Sequence, residues 1–184
     1  MECREAWSAI VSSIGLNLRI LILTFGTRGD IEPFAALAQR LSAAGHAAVL
    51  AAPEPYRASV SSEVGFEPMA TEMDSAMRAG MSWLRGPAHA LTLAREMAEG
   101  MRISLREQWE IAQRVRPTVI MAHPKALGGL HVAERLEVPF VVSLPLPFLT
   151  RTSEFAIPFT AARLPGWLNR FTYDFNRFTA VAYG

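Results

Sequence analysis

The sequence predicts an α/β fold: an open parallel sheet with helices on both faces. Short apolar runs alternate with longer segments of helical periodicity, in the order strand, helix, strand, helix, strand. Glycine or proline lies at most of the boundaries between them. The first run, residues 18–25, is mostly aliphatic, as expected of a strand buried on both faces.

The other elements follow the same alternation. Pro68 indicates that the third strand lies at a sheet edge or ends there. The strands after the first are predicted at residues 47–52, 66–69, 118–122 and 140–144, the last two buried. Helices are predicted from Pro33 to Gly45 and at residues 55–64, 87–116 and 125–136, and a further helical segment begins near Gly166.

The amino-acid composition limits the classes of protein to which the chain can belong. The chain has 184 residues, 51% of them hydrophobic and 19% charged, with a net charge of +1, so it is globular and has no basic surface for nucleic acid. Cys3 is the single cysteine, which fits a reducing compartment and a cytoplasmic location. No apolar stretch reaches the length of a membrane span, and no cluster has metal-ligand spacing. We expect an N-terminal extension at 1–17, the α/β domain at 18–165 and the start of a linker or helical segment at 166–184.

The loop after the first strand contains the candidate catalytic carboxylate, Asp30. Pro33 favours the first helical position, which makes Glu32 the N-cap and leaves Asp30 free in the loop; Asp30 as the cap is the alternative. A free carboxylate can accept a proton from a hydroxyl group. Arg28 can pair with Asp30 or with Glu32, or anchor the loop, and a solvated side chain fits the sequence equally well.

The same loop is not a phosphate cradle of a common type. It lacks the Gly-Lys-Ser/Thr of a Walker loop, and Gly26 and Gly29 are spaced Gly-x-x-Gly instead of G-x-G-x-x-G. This spacing also argues against a dehydrogenase. The glycines permit a sharp turn and a close ligand approach, so a neutral ligand with hydroxyl groups fits better.

Two further segments offer ligand contacts. His123 ends the fourth strand on the crevice side, where a ligand contact and a hydrogen bond to local backbone are equally compatible with the pattern. Lys125 is interpreted as a surface charge at the start of the next helix. Met77, Met81 and Trp83 fit a packed helix face best, with an adaptable apolar ligand wall as the alternative.

The segment Phe25-Gly26-Thr27-Arg28-Gly29-Asp30-Ile31-Glu32-Pro33-Phe34 resembles the opening of the nucleotide-sugar-dependent glycosyltransferases of the GT-B fold. The sterol glucosyltransferase-like enzymes are most similar, with antibiotic aglycone glycosyltransferases as relatives. His123-Pro124-Lys125 and Leu144-Pro145-Leu146-Pro147, followed by Thr150, extend the resemblance.

The resemblance implies a Rossmann-like N-terminal half that binds the acceptor. It places the general base of an inverting hexosyl transfer on Asp30. The acceptor would be a lipophilic molecule with a hydroxyl group, such as a sterol, a lipid or a polyketide, and the co-substrate a UDP- or dTDP-hexose. The acceptor-binding residues it implies are Gly26, Thr27, Arg28, Gly29, Met77, Met81, Trp83, His123, Pro145, Pro147 and Thr150.

One departure from the family pattern is large, since the sequence contains no His/Gly-rich donor motif. We therefore expect that this chain binds no nucleotide sugar, that it is inactive alone, and that it needs a C-terminal donor domain or a partner subunit. The alternative is a non-catalytic module that binds a lipophilic ligand or assists a complete enzyme. The resemblance also leaves open a peripheral membrane contact.

Overall fold

The computed structural model describes residues 17–69, 87–145, 151–156 and 165–174. The chain divides into two compact units, one ending at Ser143 and the other beginning at Leu144. Each unit is described by itself.

The first unit contains a parallel sheet of five strands in the order β3-β2-β1-β4-β5. Helices separate the strands along the chain, which confirms the predicted fold class. The strands are β1 (Arg19–Leu23), β2 (Ala47–Pro53), β3 (Gly65–Met69), β4 (Val119–Ala122) and β5 (Phe140–Val142). The helices are α1 (Arg28–Ala43), a 3-10 helix (Glu54–Ser59), α2 (Pro87–Val115) and α3 (Gly128–Leu136).

Strand β1 lies at the centre of the sheet, where the strand order reverses. It pairs with β2 on one side and with β4 on the other, and Leu23 is opposite Ala51 and Ala122. Because the chain leaves β1 and β4 in opposite directions along the sheet, a crevice opens at their carboxyl ends. Ligands of open α/β sheets bind at such a switch point.

Both faces of the sheet are covered, as predicted. Successive side chains of a strand point to opposite faces, so Leu21 and Leu23 of β1 pack with α2 and α3, whereas Ile20 and Ile22 pack with α1. All four are almost fully buried. This two-sided burial explains the nearly continuous apolar sequence of β1.

Two predicted elements differ from the structure. The helix predicted at residues 55–64 is only the 3-10 helix, and Val60 is already extended with φ −98° and ψ 133°. Serine and valine, which follow in that segment, are poor helix formers. The helix predicted from residue 125 begins at Gly128.

The burial of strand β5 also differs from the prediction. It was predicted to be buried, yet Val141 and Val142 are 41% and 48% exposed. β5 lies at the edge of the sheet, next to β4 alone. β3 is the other edge strand, which confirms the prediction from Pro68.

The second unit contains a short helix, α4 (Gly166–Thr172), near the predicted position. Asn169 donates a hydrogen bond to the carbonyl of Ser153 at 2.9 Å, and Tyr173 donates one to the carbonyl of Phe155. Trp167 and Phe171 of the same helix are largely exposed. No described helix is long and apolar enough to cross a membrane.

The contact between α3 and the sheet can be tested at Gly129. A Cβ at this position would lie 2.9 Å from Cβ of Ala122 and 3.1 Å from Cε2 of Phe140. Because valine would overfill this gap, we expect Gly129→Val to lower the free energy of unfolding by about 1–3 kcal/mol, measured by urea denaturation. Leu130→Ala, at an exposed position of the same helix, is the matched control and should change it by about 0.5 kcal/mol or less. Equal stability of the two variants would contradict the packing.

Candidate functional site

Three ionisable side chains meet at the carboxyl ends of β1 and β4. Asp30 is in the first turn of α1, while His123 and Lys125 follow β4 directly. Oδ2 of Asp30 lies 2.8 Å from Nζ of Lys125, and Oδ1 lies 3.4 Å from Nε2 of His123. The site therefore forms at the switch point, and neighbouring parallel strands bring its residues together.

Asp30 is held by the helix start instead of being free in the loop, so that prediction was wrong. Helix α1 begins at Arg28 with Thr27 as its N-cap, which places Asp30 at the third helical position and Glu32 inside the helix. Oδ2 of Asp30 accepts hydrogen bonds from the backbone N–H of Thr27 at 2.8 Å and from its hydroxyl at 2.9 Å. The Ser/Thr-x-x-Asp/Glu spacing of Thr27 and Asp30 is the capping-box signal that could have found this start.

Pro33 lies inside α1, whereas the sequence favoured the first helical position for it. A proline here removes the hydrogen bond to the carbonyl of Gly29, four residues earlier. Gly29 is exposed, so water can bind that carbonyl. The hydroxyl of Thr24 also donates to the carbonyl of Asp30 at 3.0 Å, which ties the helix start to the end of β1.

Gly26 makes room for the carboxylate. Its φ is +125°, a conformation that side chains with a Cβ rarely adopt. A Cβ on Gly26 would lie 2.5 Å from Oδ2 of Asp30 and 3.0 Å from Nζ of Lys125. The ion pair thus packs directly over the glycine.

His123 is a buried neutral imidazole with a defined tautomer. Its side chain is 2% exposed, and Phe34 packs against it edge-on with a ring-centroid distance of 5.7 Å. The backbone N–H of Lys125 donates to Nδ1 at 3.0 Å, so the proton of the neutral ring is on Nε2, facing Asp30. Burial lowers the pKa of His123 to about 4, and the Lys125 charge adds to this, although the Asp30 charge opposes it.

Asp30 is ionised at neutral pH. Burial acts to raise its pKa, but the hydrogen bonds from Lys125 and Thr27 together outweigh burial, so the pKa is lower than its ordinary value of 3.8. The side chain is 14% exposed, so the carboxylate is within reach of a ligand in the crevice.

Lys125 is a site residue and not merely a surface charge, so that interpretation was wrong. Its side chain is 26% exposed and donates to Asp30 at 2.8 Å. The signal was present in the sequence: Lys125 follows the strand that neighbours β1, and the carboxyl ends of adjacent parallel strands meet at one edge.

Only some of the other predicted site residues lie beside Asp30. Thr27, Arg28 and Gly29 are exposed beside Asp30, and Arg28 pairs with Glu32, one of the two predicted partners. Pro145 is half-buried in the second unit. Five predicted acceptor residues lie outside the described residues: Met77, Met81, Trp83, Pro147 and Thr150. Within the described ranges, no group of three or more His, Cys, Asp or Glu residues could hold a metal ion.

Comparison with known proteins identifies the family of this chain. Residues 20–154 match the glycosyltransferase family 28 N-terminal domain. The chain belongs to this family. The match includes β1, the Asp30 loop and β4, and it confirms the resemblance to glycosyltransferases.

The curated relatives are longer glycosyltransferases. UDP-sugar-dependent glycosyltransferase 52 of Dictyostelium discoideum is 35% identical over 148 residues, which cover 77% of this chain and 8% of that protein. Sterol 3-beta-glucosyltransferase UGT80B1 of Arabidopsis thaliana is 33% identical over 171 residues, which cover 86% of this chain and 27% of that protein. This family 28 chain therefore spans about a quarter or less of the length of these relatives.

Solved structures share the fold. The calicheamicin glycosyltransferase CalG4 aligns with a TM-score of 0.56 at 15% identity, covering 69% of this chain and 32% of CalG4. The glycosyltransferase SnogD from Streptomyces nogalater aligns with a TM-score of 0.51 at 19% identity, covering 92% of this chain and 42% of SnogD. At these identities the likeness concerns the fold, and it confirms the Rossmann-like architecture of a GT-B N-terminal half.

The packing of the ion pair over Gly26 can be tested with a matched pair of glycine variants. We expect Gly26→Ala to lower the free energy of unfolding by about 1–3 kcal/mol, because alanine is strained at this φ and would contact Asp30. Gly29→Ala is the control, since its Cβ would have no neighbour closer than 3.9 Å and alanine favours a helix. Chemical denaturation of both variants measures the difference, and a loss of the same size in Gly29→Ala would argue against the packing.

The buried imidazole predicts a dependence of stability on pH. The pKa of His123 is about 4 in the folded chain and near 6.5 when unfolded, so the unfolded chain binds the proton first as pH falls. The stabilising contribution, of the order of 3 kcal/mol, is complete above pH 6.5 and is lost as pH falls to about 4. Asp30 has its own contribution, which is lost only below its ordinary pKa of 3.8.

The variant His123→Gln should therefore reduce the slope of unfolding free energy against pH between pH 6.5 and 4. Denaturation curves at half-unit pH intervals measure that slope. His131→Gln, which removes an exposed imidazole, is the control and should keep the slope of the unchanged protein. An unchanged slope in His123→Gln would show that His123 is not buried as a neutral ring.

Proposed function

We propose that this family 28 chain is the acceptor-binding half of a glycosyltransferase, with Asp30 as the general base. The enzyme would transfer a hexose from a UDP- or dTDP-sugar to a hydroxyl of a lipophilic acceptor, such as a sterol, a lipid or a polyketide, with inversion. The observation that carries the proposal is the Asp30 carboxylate, ionised and partly exposed at the switch point. The names of two relatives, a UDP-sugar-dependent glycosyltransferase and a sterol glucosyltransferase, support the UDP-sugar and the sterol among these substrates.

The proposed step uses one carboxylate. The acceptor oxygen forms a bond to the anomeric carbon, and its proton passes to Asp30. The bond between the anomeric carbon and the diphosphate oxygen breaks, and the nucleoside diphosphate leaves with the electron pair. General base catalysis of this type contributes about 10²- to 10⁴-fold to the rate.

His123 does not compete with Asp30 as the base in this proposal. Its Nδ1 lone pair is occupied by the Lys125 N–H, so the ring has no free basic nitrogen at neutral pH. Its Nε2 lies 3.4 Å from Oδ1 of Asp30.

A donor half is the second requirement of the proposal. The chain spans only part of its relatives, and its sequence has no His/Gly-rich donor motif. We therefore propose that the nucleotide sugar is bound by a donor domain or a partner subunit. The activity should be measured in a protein that contains both halves.

The base assignment predicts that Asp30→Asn lowers kcat by about 10²- to 10⁴-fold, because asparagine keeps an acceptor for Thr27 but cannot take a proton. Transfer from UDP-glucose and dTDP-glucose to a panel of sterols, lipids and polyketide aglycones, followed by mass spectrometry, measures this. The anomeric coupling constant of the product reports inversion. Glu32→Gln, which removes an exposed carboxylate in the same helix turn, is the matched control and should keep its activity. Undiminished transfer by Asp30→Asn would reject the assignment.

A further inference from the structure

We propose that Lys125 is a positioning residue for Asp30. Its ammonium group holds Oδ2 above Gly26 and so leaves Oδ1 as the oxygen that meets the acceptor hydroxyl. This inference rests on the proposed function of Asp30 as the base. It assigns different roles to the two oxygens of one carboxylate.

The first argument is the hydrogen bonding of Oδ2. It accepts from the Thr27 N–H at 2.8 Å, from the Thr27 hydroxyl at 2.9 Å and from Nζ of Lys125 at 2.8 Å. A carboxylate oxygen offers about two lone-pair sites, so three donors fill it. A substrate hydroxyl finds no free site at Oδ2.

The second argument is the environment of Oδ1. Among the residues that the structure describes, its polar neighbour is Nε2 of His123 at 3.4 Å, longer than an ordinary hydrogen bond. Oδ1 therefore keeps lone pairs for a further donor. The acceptor hydroxyl is such a donor.

The third argument is that Lys125 reaches Asp30 from a different strand. Thr27 holds the carboxylate from the side of β1, whereas Lys125 holds it from the side of β4. The terminal torsion of an aspartate is broad, so donors from one side alone restrain the carboxylate plane weakly. Donors from both sides fix the carboxylate plane and leave Oδ1 without a short hydrogen bond.

The charges around the pair leave Lys125 as the counter-ion of Asp30. His123 is neutral at pH 7 because burial lowers its pKa to about 4. Arg28 and Glu32, on the exposed side of the same helix turn, pair with each other. Removing the Lys125 ammonium would leave a partly buried carboxylate without its cation, which raises the pKa of a carboxyl group.

Lys125→Met and Lys125→Arg test the inference in the transferase that contains this domain and a donor half. We expect Lys125→Met to lower kcat about 10- to 100-fold, with little change in KM for the acceptor, because the base is misplaced. The acid limb of the pH profile of kcat/KM should shift to higher pH by about one unit, since the Asp30 pKa rises. Lys125→Arg keeps the charge and should recover most of both losses. Arg135→Met removes an exposed cation of α3 and serves as the control.

A measurement on the unchanged chain keeps the test independent of how the variants fold. Titration of the Asp30 carboxyl carbon by NMR should give a pKa below 3.8. A pKa at or above that value would overturn the inference. A folded Lys125→Met enzyme with unchanged kcat and acid limb would overturn it too.

The two proposals fail in different ways. Loss of activity in Asp30→Asn together with full activity in Lys125→Met rejects the role of Lys125 and keeps Asp30 as the base. Full activity in Asp30→Asn rejects the proposed function itself. A low Asp30 pKa combined with loss of kcat in Lys125→Met supports both.

Discussion

The carboxylate of Asp30 is the constraint on which the rest of the site depends. It joins two segments that are distant in sequence: the helix start, which contains Thr27 and Asp30 itself, and the residues after β4. A carboxylate that is only 14% exposed is costly unless it is hydrogen-bonded, and three donors at 2.8 and 2.9 Å offset that cost. The need to hydrogen-bond this one carboxylate accounts for the start of α1, for the glycine at position 26 and for the direction of Lys125.

The strands were the most predictable part of the fold. Burial on both faces forces an apolar sequence, and β1, β2 and β4 have that sequence within one or two residues of their observed limits. Strand β5 has the same composition and was therefore predicted to be buried. Whether a strand lies inside the sheet or at its edge depends on the strand order, which composition does not encode.

The start of α1 shows why the site was harder to predict than the sheet. The preference of proline for the first helical position is a local rule, and it placed the helix start too late. Helix α1 tolerates the hydrogen bond that is missing at Pro33, because contacts from Thr24, Thr27 and Lys125 hold the preceding turn. The Thr27 contact was readable as a capping pattern, whereas the Lys125 contact required the knowledge that β1 and β4 are neighbours.

The arrangement leaves a single group that can take a proton at neutral pH among the three that meet here. Lys125 donates its protons, and the backbone occupies the basic nitrogen of His123. Under the proposed function Asp30 is the base, and its lowered pKa makes it a weak one. A weak base that is always ionised suits glycosyl transfer, because an acceptor hydroxyl becomes strongly acidic only as its oxygen bonds to the anomeric carbon. In the proposed step the proton then moves downhill to Asp30 late, so that placing Oδ1 correctly would matter more to the rate than raising its basicity.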